Sequence, residues 1–71
     1  MTHAELIEAL GGGTVISYRL SKVSGEVVDR EAVYKWRKRN SIPWKWRSFL
    51  FEMAKEREVV LPENFFPVGK A

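Results

Sequence analysis

Apolar residues recur along this chain at helical rather than strand spacing, in four blocks separated by glycine, asparagine or proline. The first block opens with Thr2-His3-Ala4-Glu5, which fits a capping box of a Thr N-cap and a Glu three positions on. Leu6, Ile7 and Leu10 give it one apolar face, and Gly11-Gly12-Gly13 reads as its C-cap and a tight turn. Thr14 then caps a second helix, with Val15, Ile16, Leu20 and Val23 facing inward. Ser17 is the small residue on this helix, placed where another helix can cross closely. Ser24-Gly25-Glu26 reads as a loop, and Val27 and Val28 are apolar anchors leading into Asp29.

The stretch DREAVYKWRKR, residues 29–39, predicts a third helix with Asp29 as its cap. Ala32, Val33 and Trp36 fall on one side; Arg30, Glu31, Tyr34 and Lys38 fall on the other, with Lys35 and Arg37 at the margins. Asn40-Ser41 breaks it, and Ile42-Pro43 starts the next element, since Pro suits a first turn. Trp46, Phe49, Leu50 and Met53 then make a core stripe at i, i+3, i+4 and i+7. Trp44 and Phe51 lie on a second side of that helix, for the tail or a partner chain to cover. The tail VVLPENFFPVGK carries two prolines and is unsuited to a long helix. It is expected to strap across the domain through Leu61, Phe65 and Phe66, with one helical turn near 62–65.

These patterns predict an all-α, compact domain of four to five helices over 1–71, at about 3–10, 14–22, 30–39 and 43–57, with a tail over 58–71. Its expected core is Trp36, Trp46, Phe49, Leu50, Val33, Ile16, Leu20, Leu6 and Leu10.

Composition narrows the function classes. Seventy-one residues make one domain near the lower size for a self-standing core, and an apolar fraction of 45% suits a folded globule. With no cysteine there is no disulfide and no thiolate metal site. The apolar runs are far shorter than a membrane span and no signal peptide is legible, so a cytoplasmic soluble protein is expected. The glycine run lacks the Lys-Ser/Thr that completes a phosphate-cradling loop. The single histidine, His3, has no evident catalytic partner, and no cluster has metal-ligand spacing, so an enzyme, a cofactor and a small-molecule substrate are not expected.

Charge changes the picture more. Between positions 32 and 51 there are six Lys or Arg and no acid, whereas the remainder holds six basic and nine acidic residues. The two parts therefore carry +6 and −3, a directed field that favours a polyanionic partner.

Four short helices, with a glycine turn before the second and a basic third, resemble the helix-turn-helix domains of phage Cro and cI-type repressors, and among them the small YdaS-like branch. Ile7-Glu8-Ala9-Leu10-Gly11-Gly12-Gly13-Thr14 looks like that branch's first helix ending in a Gly-Gly turn. Ile16, Ser17 and Leu20 match the apolar, small, apolar pattern of its second helix. Val33-Tyr34-Lys35-Trp36-Arg37-Lys38-Arg39 is similar to its recognition helix, Ile42-Pro43 to the opening of its fourth helix, and 60–67 to its closing segment. One departure stands out. The ordinary motif links helices two and three by three or four residues, but here about six extra residues around 23–28 either extend helix two or form a loop beside the groove.

The resemblance implies a sequence-specific regulator bound to double-stranded DNA, with the third helix in the major groove. On that reading Arg30, Glu31, Tyr34 and Lys35 meet bases, Arg30 bonding guanine and Glu31 accepting from cytosine. Thr14, Arg37, Lys38, Arg39, Ser41, Lys45 and Arg47 meet phosphates. Trp44 and Phe51 form the surface of a weak homodimer, because two recognition helices spaced one turn apart gain specificity. Two other readings stand beside it. Trp36, Trp44 and Trp46, if exposed, would stack single-stranded bases. Alternatively, a repressor-like fold with an enlarged turn serves as a protein-interaction module.

Overall fold

The computed structural model describes residues 2–63, 65 and 66. Those residues form four helices and no strand: α1 (His3–Ala9), α2 (Gly12–Ser24), α3 (Arg30–Arg39) and α4 (Trp44–Arg57). Among them no helix is long and apolar enough to cross a membrane.

The capping box at the start of α1 is complete. Glu5 N–H donates to Thr2 Oγ1 at 3.1 Å, and Thr2 N–H donates to Glu5 Oε1 at 2.8 Å. A third α1 donor is satisfied from afar, since Ala4 N–H reaches Asn40 Oδ1 at 2.9 Å. Asn40 is also the C-cap of α3, at φ 56, where Asn is among the few residues that tolerate left-handed backbone. One residue thus ends α3 and caps α1.

The glycine run does less turning than its length suggests. Positive φ at Gly11 (109°) and Gly12 (86°) reverses the chain so sharply that helical bonding resumes at once, and α2 starts at Gly12. Thr14 is therefore the third residue of α2 and not its cap; Gly11 holds the cap position with no side-chain bond. At the other end α2 extends to Ser24, where Gly25 closes it at φ 79. The extra residues between the second and third helices are divided: two lengthen α2, and 25–29 form the link. Asp29 stands at the N-cap of α3 as expected, but its side chain makes no capping bond.

Most of the expected core is buried, namely Leu6, Leu10, Ile16, Leu20, Val33, Trp36, Trp46 and Leu50. Phe49 is only partly buried. Val15 and Val23, expected inside, are exposed on the outer side of α2, because the inward stripe is Ile16, Ser17 and Leu20. Of the two valine anchors, Val28 is buried and Val27 points into solvent. The core also takes in Ile7, Ile42, Met53, Ala54 and Phe65.

Helices α1, α2 and α3 pack pairwise at close backbone range, whereas α4 joins through large side chains. Trp46 stacks on Trp36 with centroids 6.4 Å apart and planes at 28°. Two polar links fix the far end of α4. Arg57 Nη1 donates to the Leu10 carbonyl at 3.2 Å, and the Arg19 guanidinium bonds both Glu56 oxygens at 2.7 Å.

Beyond α4, Phe65 is buried, and its N–H donates to the Pro62 carbonyl at 3.2 Å. The expected helical turn at 62–65 includes Asn64, which lies outside the described residues, as does the end of the tail from 67 to 71. Phe66 sits edge-on to Trp44 at 6.0 Å and to Phe51 at 5.7 Å, on the second apolar side of α4.

Candidate nucleic-acid interface

Helix α3 buries Val33 and Trp36 and turns everything long-armed outward. Arg30, Glu31, Tyr34, Lys35, Lys38 and Arg39 are all exposed. At 100° per residue, Glu31, Tyr34, Lys35 and Lys38 form one ridge down the middle of that outward face, with Arg30 and Arg39 on its two flanks. Among the described residues, none of the basic side chains Arg30, Lys35, Lys38 and Arg39 enters a salt bridge.

A depression lies on each side of the ridge. The smaller, about 300 Å³, falls between α3 and the start of α2, and brings Thr14 beside Arg30, Tyr34 and Arg37. The larger, about 520 Å³, falls between α3 and the 25–29 link, with the edges of Trp36 and Trp46 in its wall. Asp29 and Glu31 line its end near the start of α3; Lys35, Lys38 and Arg39 lie further along the helix, beside an apolar wall that includes Val27 and Val28. The two helix sides expected to face a duplex backbone are thus both concave and both supplied with cations.

The residues expected on phosphates divide into three kinds. Lys38 and Arg39 are free-standing on α3, and Ser41 is exposed in the link after it; Pro43 caps α4, so Ser41 heads no helix. Arg37 and Lys45 each carry a carboxylate already. Arg37 pairs with Glu8 of α1, and Lys45 Nζ lies 2.9 Å from Glu26 in the link. Arg47 is engaged inside the fold. Its Nε donates to the Ile42 carbonyl at 2.8 Å and its Nη1 to the Phe65 carbonyl at 3.0 Å. Its guanidinium also lies over the Trp44 ring at 5.1 Å and the Phe65 ring at 5.6 Å. Arg47, expected on a phosphate, instead joins the start of α4 to Phe65 through these contacts.

The link that precedes α3 is tied down on both sides. Val28 N–H donates to Ser21 Oγ at 2.8 Å, and Ser21 Oγ lies 3.3 Å from the Val28 carbonyl. Glu26 N–H donates to Ser24 Oγ at 3.0 Å, and the Glu26 side chain holds Lys45. Sequence periodicity had no means of finding these contacts, since Ser21 reads as an ordinary polar residue beside Leu20.

His3 was also opaque in the sequence. Its Nδ1 accepts the Ile42 N–H at 2.8 Å, and its ring meets Phe65 edge-on at 5.3 Å. Burial, and secondarily the Arg47 charge, hold its pKa below the usual histidine value. Among the described residues, no three His, Asp, Glu or Cys side chains come together as a metal site requires.

Of the three tryptophans, Trp36 and Trp46 are inside the core and only Trp44 is exposed, at 61%. Compared with protein-family models, with curated proteins and with solved structures, the chain finds no match.

Proposed function

We propose that this chain is a sequence-specific double-stranded DNA-binding regulator of the phage repressor type, with α2 and α3 acting as a helix-turn-helix and α3 in the major groove. The observation that carries this reading is the outward face of α3. Its ridge of Glu31, Tyr34, Lys35 and Lys38 is flanked by two concave sides whose lining includes Lys35, Lys38 and Arg39 on one and Arg30 and Arg37 on the other. A major groove about 12 Å wide takes such a helix with its N-terminal residues nearest the base edges and phosphates on either side. Resemblance to the YdaS-like branch in helix order, glycine turn and third-helix pattern supports the same reading.

Arg30, Glu31, Tyr34 and Lys35 are the base-contacting set. Lys38 and Arg39 take phosphates directly, with Thr14 and Ser41 as hydroxyl donors. Arg37 and Lys45 reach phosphate by exchanging Glu8 and Glu26 for it, so each contributes less net affinity than a free cation. Arg47 drops out of the set. The tail acts as a strap through Phe65 and Phe66 and supports the α4 face on which Trp44 and Phe51 would meet a second copy in a weak homodimer.

Single-residue variants test this. Arg30→Ala should cost roughly 1–3 kcal/mol on the preferred duplex and relax the preference at one base position. Lys38→Ala should weaken preferred and scrambled duplexes alike and flatten the salt dependence by about one unit, because one fewer counterion is released. Titrations of both variants over a salt series decide it. Should Arg30→Ala behave just like Lys38→Ala, α3 is an electrostatic face and reads no sequence.

A further inference from the structure

The 25–29 link has a property that the base- and phosphate-contacting residues do not account for. Val27 is 91% exposed while its neighbour Val28 is buried, so the link turns one valine into the core and the next fully outward. A lone exposed apolar side chain is ordinary. This one stands on a segment anchored to α2, where Ser21 bonds both the N–H and the carbonyl of Val28. It also borders the same 520 Å³ groove as Lys35, Lys38 and Arg39. The groove has a charge direction: Asp29 and Glu31 lie near the start of α3, where base edges would be met, and the three cations lie beyond them.

We propose that this groove holds one deoxyribose–phosphate strand of the duplex, with Val27 packed on the sugars and Lys38 and Arg39 on the phosphates. The inference rests on the DNA-binding reading above and adds the link to it as a second contacting element. Charge complementarity selects the occupant, since a sugar–phosphate strand is apolar on its sugar faces and anionic along its edge. The extra residues between α2 and α3 then have a use: they raise one wall of the groove beside the helix. A sugar contact also differs in kind from the others around it, because burying a valine releases no counterion.

That difference is the test. Val27→Ser should leave thermal stability unchanged, because the side chain touches almost nothing in the fold. On preferred and scrambled duplexes alike it should weaken binding about fivefold, a fraction of what full burial of a valine is worth. Its salt dependence should keep the slope of the native protein. Arg39→Gln should lose affinity together with about one unit of slope. If Val27→Ser binds both duplexes as tightly as the native protein does, the link makes no contact and the proposal is wrong, while DNA binding by α3 stands. If Val27→Ser lowers the slope, its effect is electrostatic and the sugar contact is wrong. If the native protein binds no duplex even at low salt, the proposal and the reading beneath it both fall.

Discussion

Replacing Trp46 with alanine should lower the stability of this domain by about 3–5 kcal/mol, the usual cost of emptying a core aromatic site. Trp46 is only 9% exposed and sits where α4 meets the three-helix unit. Its ring stacks on Trp36 at 6.4 Å and tilts against Phe49 at 5.4 Å. Because α4 is joined to α1–α3 chiefly by large side chains rather than by close backbone packing, losing that ring removes a main contact of the helix. A chain of this size has roughly 4–10 kcal/mol of stability in all, so much of the population should unfold at ordinary temperature. Urea denaturation followed by far-ultraviolet circular dichroism reads the loss directly. A change below about 1 kcal/mol would mean that α4 is held by something other than the Trp36–Trp46 contact.

Arg47→Ala should cost roughly 2–4 kcal/mol, chiefly from two hydrogen bonds of a charged donor to the carbonyls of Ile42 and Phe65. Ile42 and Phe65 are buried residues and both bonds are partly shielded from solvent, so water replaces them incompletely after truncation. The same variant should leave the salt dependence of duplex binding unchanged, whereas a phosphate contact would flatten it by about one unit. A pH effect accompanies the loss. The folded pKa of His3 is lowered by burial first and by the Arg47 charge second, and a protonated Nδ1 could no longer accept the Ile42 N–H. The unfolded chain therefore binds that proton more readily. Stability from this site is present above about pH 6.5 and is lost as pH falls from there through the lowered folded value. Removing Arg47 removes the second cause, so the acid-side loss should be shallower in Arg47→Ala than in the native protein. Thermal melts between about pH 4 and 8 check the sign.

The helices and most of the core were legible because apolar spacing carries them. Trp46, Leu50 and Met53 at helical intervals, and Val33 with Trp36, are buried where periodicity placed them. The start of α2 was misread for a definite reason. A Thr after glycines looks like a cap, but two consecutive left-handed glycines complete the reversal before Thr14 is reached. Val27 was misplaced because a Val-Val pair in a link has no period to say which residue faces inward. Arg47 shows the deeper limit. A basic residue within a basic stretch reads as surface, and only the three-dimensional path of the tail brings the Phe65 carbonyl under its guanidinium. Likewise the partners of Arg37 and Lys45 come from α1 and the link, far away in sequence, so a count of charges overstated how many cations stand free.

Sequence reading by α3 in duplex DNA is what the proposed function requires above all. Repeated selection of bound molecules from a pool of random duplexes, at moderate salt, tests it most directly. The expected result is enrichment of a short consensus with half-sites about one helical turn apart, and loss of that consensus when the selection is run with Arg30→Ala. Retention of duplexes with no enriched sequence, or no retention at all, would contradict it.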